Sequence, residues 1–294
     1  MPDGRLPEEV LDAIDRIRRD RVSGASQLTR ASLETLKLAS EKAAGENFEE
    51  FFGSLRAAVR LLVKAKPTMA SIANVSAIFL WKVKEKTSKL KPFSLAEARR
   101  ISLEEALSLI AEYDGRLRRT ILNGSKLIGE GEKVATCSYS SILVEVFRVA
   151  KSRRVNFRVL VAASTHRGVS HGENLAKKLS EFGVPAKVYP DSSIGEMLEE
   201  ASLVMLGTDT ILADGSIVNG KPSLRLAIEA EKRFKPLYVI CDSLKISVKP
   251  PRIEEGFDLV DRNLIRAIIT EEGKLKPERL KRKVEELKRQ TLLI

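Results

Sequence analysis

The chain has 294 residues, of which 43% are hydrophobic, 31% charged and 5% aromatic. That balance describes a folded chain with a sizeable core, in one large or two modest domains, and excludes a disordered or fibrous one. No apolar run approaches the ~20 residues of a membrane span, and the start Met1-Pro-Asp-Gly-Arg carries no apolar signal core, so the expected location is the cytoplasm.

Fifty-one Lys and Arg against 40 Asp and Glu leave a net charge of +11. Such a charge favours acidic or phosphorylated partners. The basic residues are interleaved with acids, and no basic stretch carries the stacking aromatics of a single-strand binder. Direct nucleic-acid binding is therefore not expected. Two glutamines beside abundant Lys, Arg and Glu suggest a thermophilic source, whose charged surface explains part of the basicity. Cys137 and Cys241 offer no disulfide framework and no metal spacing, and nothing in the sequence asks for a cofactor.

From Pro7 to about Lys126 the chain reads as helices. Residues 8–19 place Val10, Leu11, Ile14 and Ile17 on one face at helical spacing. Ser26 is placed to cap a second helix carrying Leu28, Leu33, Leu36 and Leu38. Residues 48–66 form a third, with Phe51, Phe52, Leu55, Val59, Leu62 and Val63 as its stripe. Pro67 is placed to open a fourth, with Met69, Ile72, Val75, Ile78, Phe79 and Trp81. Residues 82–91 read as a charged connector closed by Pro92. Ser94-x-x-Glu97 has the form of a capping box, and a long helix follows to about Arg119. Asn123-Gly124 is read as its close.

The pattern changes near residue 130. Residues 131–137 read as a turn then a strand, and further strands are expected at 157–163, 186–189, 203–206 and 237–241, with helices at 141–151, 172–182, 193–201 and 223–235. Strands alternating with helices mean a mainly parallel sheet covered on both faces. The expectation is thus an N-terminal helical domain, residues 1–125, and a C-terminal Rossmann-like α/β domain, residues 126–294. Residues 277–294 read as an amphipathic tail helix with Leu280, Val284 and Leu287 inward.

Beyond the carboxyl ends of the strands lies the usual ligand edge of such a sheet. The run Leu203 to Leu206 stops at Gly207, and Thr208-Asp209-Thr210 follows. Asp214-Gly215 and Asn219-Gly220 then mark tight turns. The stretch resembles the Gly-Ala-Asp…Asn-Gly…Asn-Lys-x-Gly-Thr signature of a superfamily with two branches. One holds aldose–ketose isomerases of methylthioribose-1-phosphate and ribose-1,5-bisphosphate. The other holds the alpha, beta and delta regulatory subunits of translation initiation factor 2B and their archaeal relatives. In the helical half, Ser23-Gly24-Ala25 is similar to a Ser-Gly segment of the regulatory branch, and Lys66-Pro67-Thr68 to an Arg-Pro-Thr segment of the superfamily. Residues 257–273 resemble its closing segment, with Asp261 where proline is common.

The resemblance assigns four loops to one pocket. In Thr136-Cys137-Ser138-Tyr139-Ser140 the last two residues match the regulatory form, and Ser138 stands where the isomerases carry a catalytic cysteine. A serine hydroxyl does not titrate near neutral pH as a thiol can. Cys137 is one place off, faces the other side of its strand, and reads as a small buried residue. In the second loop Arg167 aligns with a family arginine suited to clamping a phosphate. Thr165 and Gly168 replace a glutamate and a proline. His166 and His171, the only histidines, make no convincing metal pair. Residues 190–195, with Ser193, resemble a turn that offers backbone amides to the pocket. In the fourth loop Gly207, Asp209 and Asn219 are kept, but Gly220 stands where the signature has lysine.

Ser138, Arg167, Ser193, Gly207, Asp209 and Asn219 are therefore the candidate ligand-binding residues. Ser138 and Asp209 are vestiges of an isomerase acid–base pair, and no metal is expected. The resemblance implies a regulatory, initiation-factor-2B-like protein that forms a homodimer or a higher oligomer and recognises initiation factor 2 through its alpha subunit. A nucleoside or sugar monophosphate would occupy the pocket. The alternative is an active sugar-phosphate isomerase of the ribose-1,5-bisphosphate kind.

Overall fold

The computed structural model describes residues 6–20, 23–89, 94–249 and 253–291. They form two compact units, one of residues 6–115 with 282–291 and the other of residues 116–281.

The first unit is built of α1 (Glu8–Arg19), α2 (Ala25–Lys42), α3 (Phe48–Ala65), α4 (Ala70–Ser88), the part of α5 (Leu95–Ser125) up to Gly115 and the part of the last helix from Arg282 on. Val10, Ile14 and Ile17 turn one face of α1 inward. Glu8 and Glu9 at its start and Arg16, Arg18 and Arg19 at its end complement the helix dipole. Asn47 caps α3 by accepting the Glu50 N–H at 3.0 Å. Phe51, Leu55, Leu62, Ile72 and Phe79 are fully buried.

Several boundaries differ from the sequence reading. The connector expected from residue 82 is helix as far as Ser88. Val83 and Thr87 continue the buried face, the intervening Lys and Glu are good helix formers, and Lys82 and Lys86 form ion pairs with Glu105 of α5. Pro92 lies outside the described residues. Gly24, not Ser26, is the N-cap of α2, and Ser26 is buried within the helix. Pro67 lies in the turn before α4. The long helix runs past the expected Arg119 to Ser125, one residue beyond Asn123-Gly124, where Asn123 Nδ2 donates to the Thr270 carbonyl at 2.9 Å and Gly124 packs closely on Ile240. Ser94 and Glu97 do form the capping box, with Ser94 N–H donating to Glu97 at 2.7 Å and Glu97 N–H to Ser94 Oγ at 3.2 Å.

The second unit holds the sheet. Its strands are β1 (Lys133–Cys137), β2 (Arg158–Ala162), β5 (Ala186–Tyr189), β6 (Leu203–Leu206), β9 (Leu237–Ile240), β11 (Ala267–Thr270) and β12 (Gly273–Lys274). Between them run α6 (Ser141–Ser152), α7 (His171–Ser180), α8 (Ile194–Glu200) and α9 (Ser223–Lys232), and α10 (Pro277–Gln290) follows. The order is β12-β11-β9-β6-β1-β2-β5, parallel except for β12. All four residues of β6 are buried, as a strand covered on both faces requires. Val134, Val161 and Met205 meet Leu143, Phe147, Leu175 and Leu179 in one core.

The chain walks outward from β1 to β2 and β5, then returns and walks the other way through β6, β9 and β11. The order reverses between β1 and β6, the switch point at which open parallel sheets bind ligands. Two short additions escape the sequence pattern. β3 (Thr165–His166) and β4 (Val169–Ser170) make a hairpin, and β10 (Phe257–Val260), β8 (Ile217–Gly220) and β7 (Thr210–Ile211) make a three-stranded antiparallel sheet. Among the described residues no helix is long and apolar enough to cross a membrane.

Gly172 lets α7 start against the end of β2. A Cβ there would lie 2.2 Å from the Ala162 carbonyl oxygen, so backbone must move to admit it. Gly172→Ala is expected to lower unfolding free energy by about 1–3 kcal/mol, the usual cost of overpacking. Urea unfolding measures this, and an unchanged midpoint would show that the turn yields freely.

Candidate functional site

Four of the six candidate residues stand around the switch point. Ser138 follows β1 with a left-handed backbone, φ 62°. Its N–H donates to Ser164 Oγ at 2.7 Å. Ser164 is itself buried and left-handed, φ 52°. Asp191 holds this loop from the end of β5, accepting the N–H groups of Ser164 at 2.7 Å and Thr165 at 3.1 Å. The Ser138 hydroxyl faces Gly220 and lies 2.9 Å from where a Cβ on that glycine would be.

On the β6 side, Gly207 is required by Ser140. A Cβ at position 207 would lie 2.4 Å from the Ser140 hydroxyl, which caps α6. The next residue, Thr208, is buried, and its hydroxyl donates to the Val218 carbonyl at 2.8 Å. The half-buried Asp209 follows, its N–H donating to the same carbonyl at 3.0 Å. Asn219 is buried on β8, and its Nδ2 donates to Ser223 Oγ at 2.8 Å. Asn219 thus orders the start of α9, whose Leu224 N–H is capped by Asp258 of β10 at 3.0 Å.

The other two candidates sit further out. Arg167 forms the tip of the β3–β4 hairpin with φ 49°, followed by Gly168 at 79°. Its side chain is 75% exposed and pairs with Glu255 at 3.0 Å. Ser193 is half-buried in the short helical turn before α8. The neighbouring Ser192 carbonyl accepts from Arg225 at 3.1 Å. Among the described residues no His, Cys, Asp or Glu cluster could hold a metal ion. Burial, with His166 nearby, moves His171 down from its ordinary pKa.

Cys137 is fully buried. Its thiol is pushed up to about 12, chiefly by burial, with the Asp258 and Asp191 charges adding to the shift against a hydrogen bond with Ser223. It lies 3.3 Å from the Ser223 hydroxyl, and burial disfavours its thiolate.

The sequence reading missed a second polar layer after β9. Lys245 is buried, and its ammonium donates to the Thr208 carbonyl at 2.6 Å, on the turn that carries Asp209. Asp242 is buried beside it, with Oδ1 accepting the Leu244 N–H at 3.1 Å and Oδ2 without a hydrogen-bond partner. Burial pushes the Asp242 carboxyl up, against the charge of Lys245. Glu271 accepts from Ser243 Oγ at 2.5 Å and from Arg116 at 2.6 Å. Burial pushes Glu271 up, but Ser243 and Arg116 outweigh it and hold the group below the ordinary carboxylate value. A signal was present. Asp242-Ser-Leu-Lys245 follows a buried strand just as Thr208-Asp209 does.

These features define a doubly wound α/β unit with polar loop residues gathered at its switch point, in one chain with a helical unit. Residues 21–256 match the Initiation factor 2 subunit family. A translation initiation factor eIF-2B subunit 2-like protein of Pyrococcus horikoshii is 31% identical over 89% of this chain and 87% of its own. The ribose 1,5-bisphosphate isomerase of Archaeoglobus fulgidus is 29% identical over 92% of this chain and 91% of its own. The crystal structure of the Pyrococcus horikoshii OT3 translation initiation factor eIF-2B superposes with a TM-score of 0.78 at 27% identity, covering 93% of this chain and 99% of that one. The chain belongs to the Initiation factor 2 subunit family.

Arg116→Met is expected to destabilise the protein by about 3–5 kcal/mol at neutral pH, because it leaves Glu271 buried without its cation. The folded pKa of Glu271 is depressed, so its contribution is present above the unfolded pKa and lost as pH falls through the folded one. The difference between variant and unmodified protein should shrink on acidification below the ordinary carboxylate range. Denaturant unfolding across that range measures it, and a pH-independent difference would contradict the assignment.

Proposed function

We propose that this chain is a regulatory, initiation-factor-2B-like protein that recognises a protein partner and holds a phosphorylated small ligand at the switch point without turning it over. The chemistry at Ser138 carries the reading. A hydroxyl stands where the isomerase branch carries a thiol acid, and the neighbouring thiol of Cys137 is buried. Aldose–ketose isomerisation moves a proton between adjacent carbons and needs groups that titrate near the working pH. Asp209 is one candidate for such a group, and the Ser138 hydroxyl cannot be the second. The Arg167 guanidinium, the Asn219 side-chain oxygen and loop N–H groups next to Ser193, whose own N–H donates to the Pro190 carbonyl at 2.9 Å, supply polar contacts for a sugar or nucleoside monophosphate.

The partner surface is separate from this site, because a small polar pocket cannot anchor a protein. Initiation factor 2, through its alpha subunit, is the partner the family resemblance favours. The second reading is a ribose-1,5-bisphosphate isomerase. The retained Asp209 and the Archaeoglobus fulgidus relative favour it. One set of measurements separates the two. Neither methylthioribose-1-phosphate nor ribose-1,5-bisphosphate should be turned over, whereas calorimetry with AMP and ribose 5-phosphate should show weak binding that Arg167→Ala removes. Pull-down of the cognate alpha subunit should survive that substitution. Steady-state turnover abolished by Asp209→Asn would establish the isomerase instead.

A homodimer joined through residues 116–281 completes the proposal. Phe234, Leu259 and Ile228 of that unit are exposed by 93%, 41% and 39%, apolar surface that an isologous contact would cover. Light scattering at micromolar concentration should give twice the chain mass. A monomer there would remove this part of the proposal.

A further inference from the structure

A ring of contacts encloses the end of β1. The Ser138 N–H donates to Ser164, and the Ser138 hydroxyl abuts Gly220. The next residue, Lys221, donates its N–H to the Gly256 carbonyl at 2.9 Å. The His166 ring rests on Gly256, with Nε2 3.1 Å from where a Cβ would stand. His166 leads back through the hairpin strand to Ser164, and the ring closes. The Arg167–Glu255 ion pair joins the hairpin to the 253–256 segment beside that last contact.

Both members of the pair are held by backbone. Positive φ at Arg167 and Gly168 gives the two-residue hairpin turn its form, which fixes the position of the arginine. Glu255 precedes Gly256, and Phe257 is paired with Gly220 across the antiparallel sheet. A carboxylate on a guanidinium makes the contact that a ligand phosphate would make there. We propose that Glu255 is a built-in competitor for Arg167. Its carboxylate occupies the guanidinium when no ligand is bound, and a phosphorylated ligand must displace it, which removes the ion pair between the hairpin and the 253–256 segment and leaves the His166–Gly256 contact. The inference rests on the reading above that Arg167 receives the ligand phosphate.

The exposure of the pair suits the role. Ion pairs exposed to this degree are weak, so the carboxylate yields readily. A phosphate carries more charge and more acceptor oxygens than a carboxylate, so it wins the guanidinium. The closed state still lowers apparent affinity by the fraction of molecules that occupy it. Glu255 would thus select for dianionic phosphate over singly charged carboxylate ligands.

Calorimetry with ribose 5-phosphate, using the full chain, tests the proposal. Glu255→Gln should bind about two- to fivefold more tightly than the unmodified protein, the range an exposed pair of this kind commands. Arg167→Ala and the double variant Arg167→Ala/Glu255→Gln should bind equally poorly. A second readout needs no ligand. Trypsin cleavage after Arg167 should be faster in Glu255→Gln, because the Arg167 side chain is no longer paired and is open to the protease. Binding that depends on Arg167 but is unchanged in Glu255→Gln would overturn the competitor and leave the functional reading standing. No binding by either the unmodified protein or Glu255→Gln would remove both.

Discussion

Right-handed crossovers put every strand-to-helix turn of a parallel sheet on one edge. In this protein the order β5-β2-β1-β6-β9-β11 sends the chain to opposite sides only between β1 and β6. The turns after those two strands therefore part, and Ser138 and Asp209 are among the first polar residues after β1 and β6. The site is a consequence of strand order before it is a consequence of side-chain choice.

Charge buried at the same edge fixes what the order leaves open. The Lys245 ammonium grips the Thr208 carbonyl, and Arg116, from the end of the long α5, grips Glu271 after β11. Such groups lose hydration on folding and are stable only when their partners are in place. They tie the turns after β6, β9 and β11 into one layer. Asp209 is positioned by this layer as much as by its own backbone.

The alternation of short apolar strands with helices made the α/β unit legible, since nothing else buries β6 on both faces. The residues at the ends of β1 and β6 were legible because polar residues directly after a buried strand have only one edge to occupy. Lys245 and Asp242 were not recognised, although they obey the same rule after β9. A buried lysine is improbable from sequence alone until its partners are known. The pairing of Arg167 with Glu255 was not legible either, because 88 residues separate the two. The β7, β8 and β10 strands carried no strand signal, being only two to four residues long, and Asn219-Gly220, read as a turn, ends β8. They gain their regularity from one another. In the helical unit, apolar spacing located the buried faces except at Leu11, which was expected inward on α1 and is 43% exposed, while the end of α4 followed ion pairs to Glu105.

The close approach of Ser138 to Gly220 couples two positions that are distant in the sequence. In this protein any side chain at position 220 would begin 2.9 Å from the Ser138 hydroxyl, and that hydroxyl, the free end of a small side chain, would have to rotate to admit it. The residue tolerated at position 220 therefore depends on the rotamer at position 138 rather than on the backbone around it, and a substitution at either position has to be interpreted together with the other.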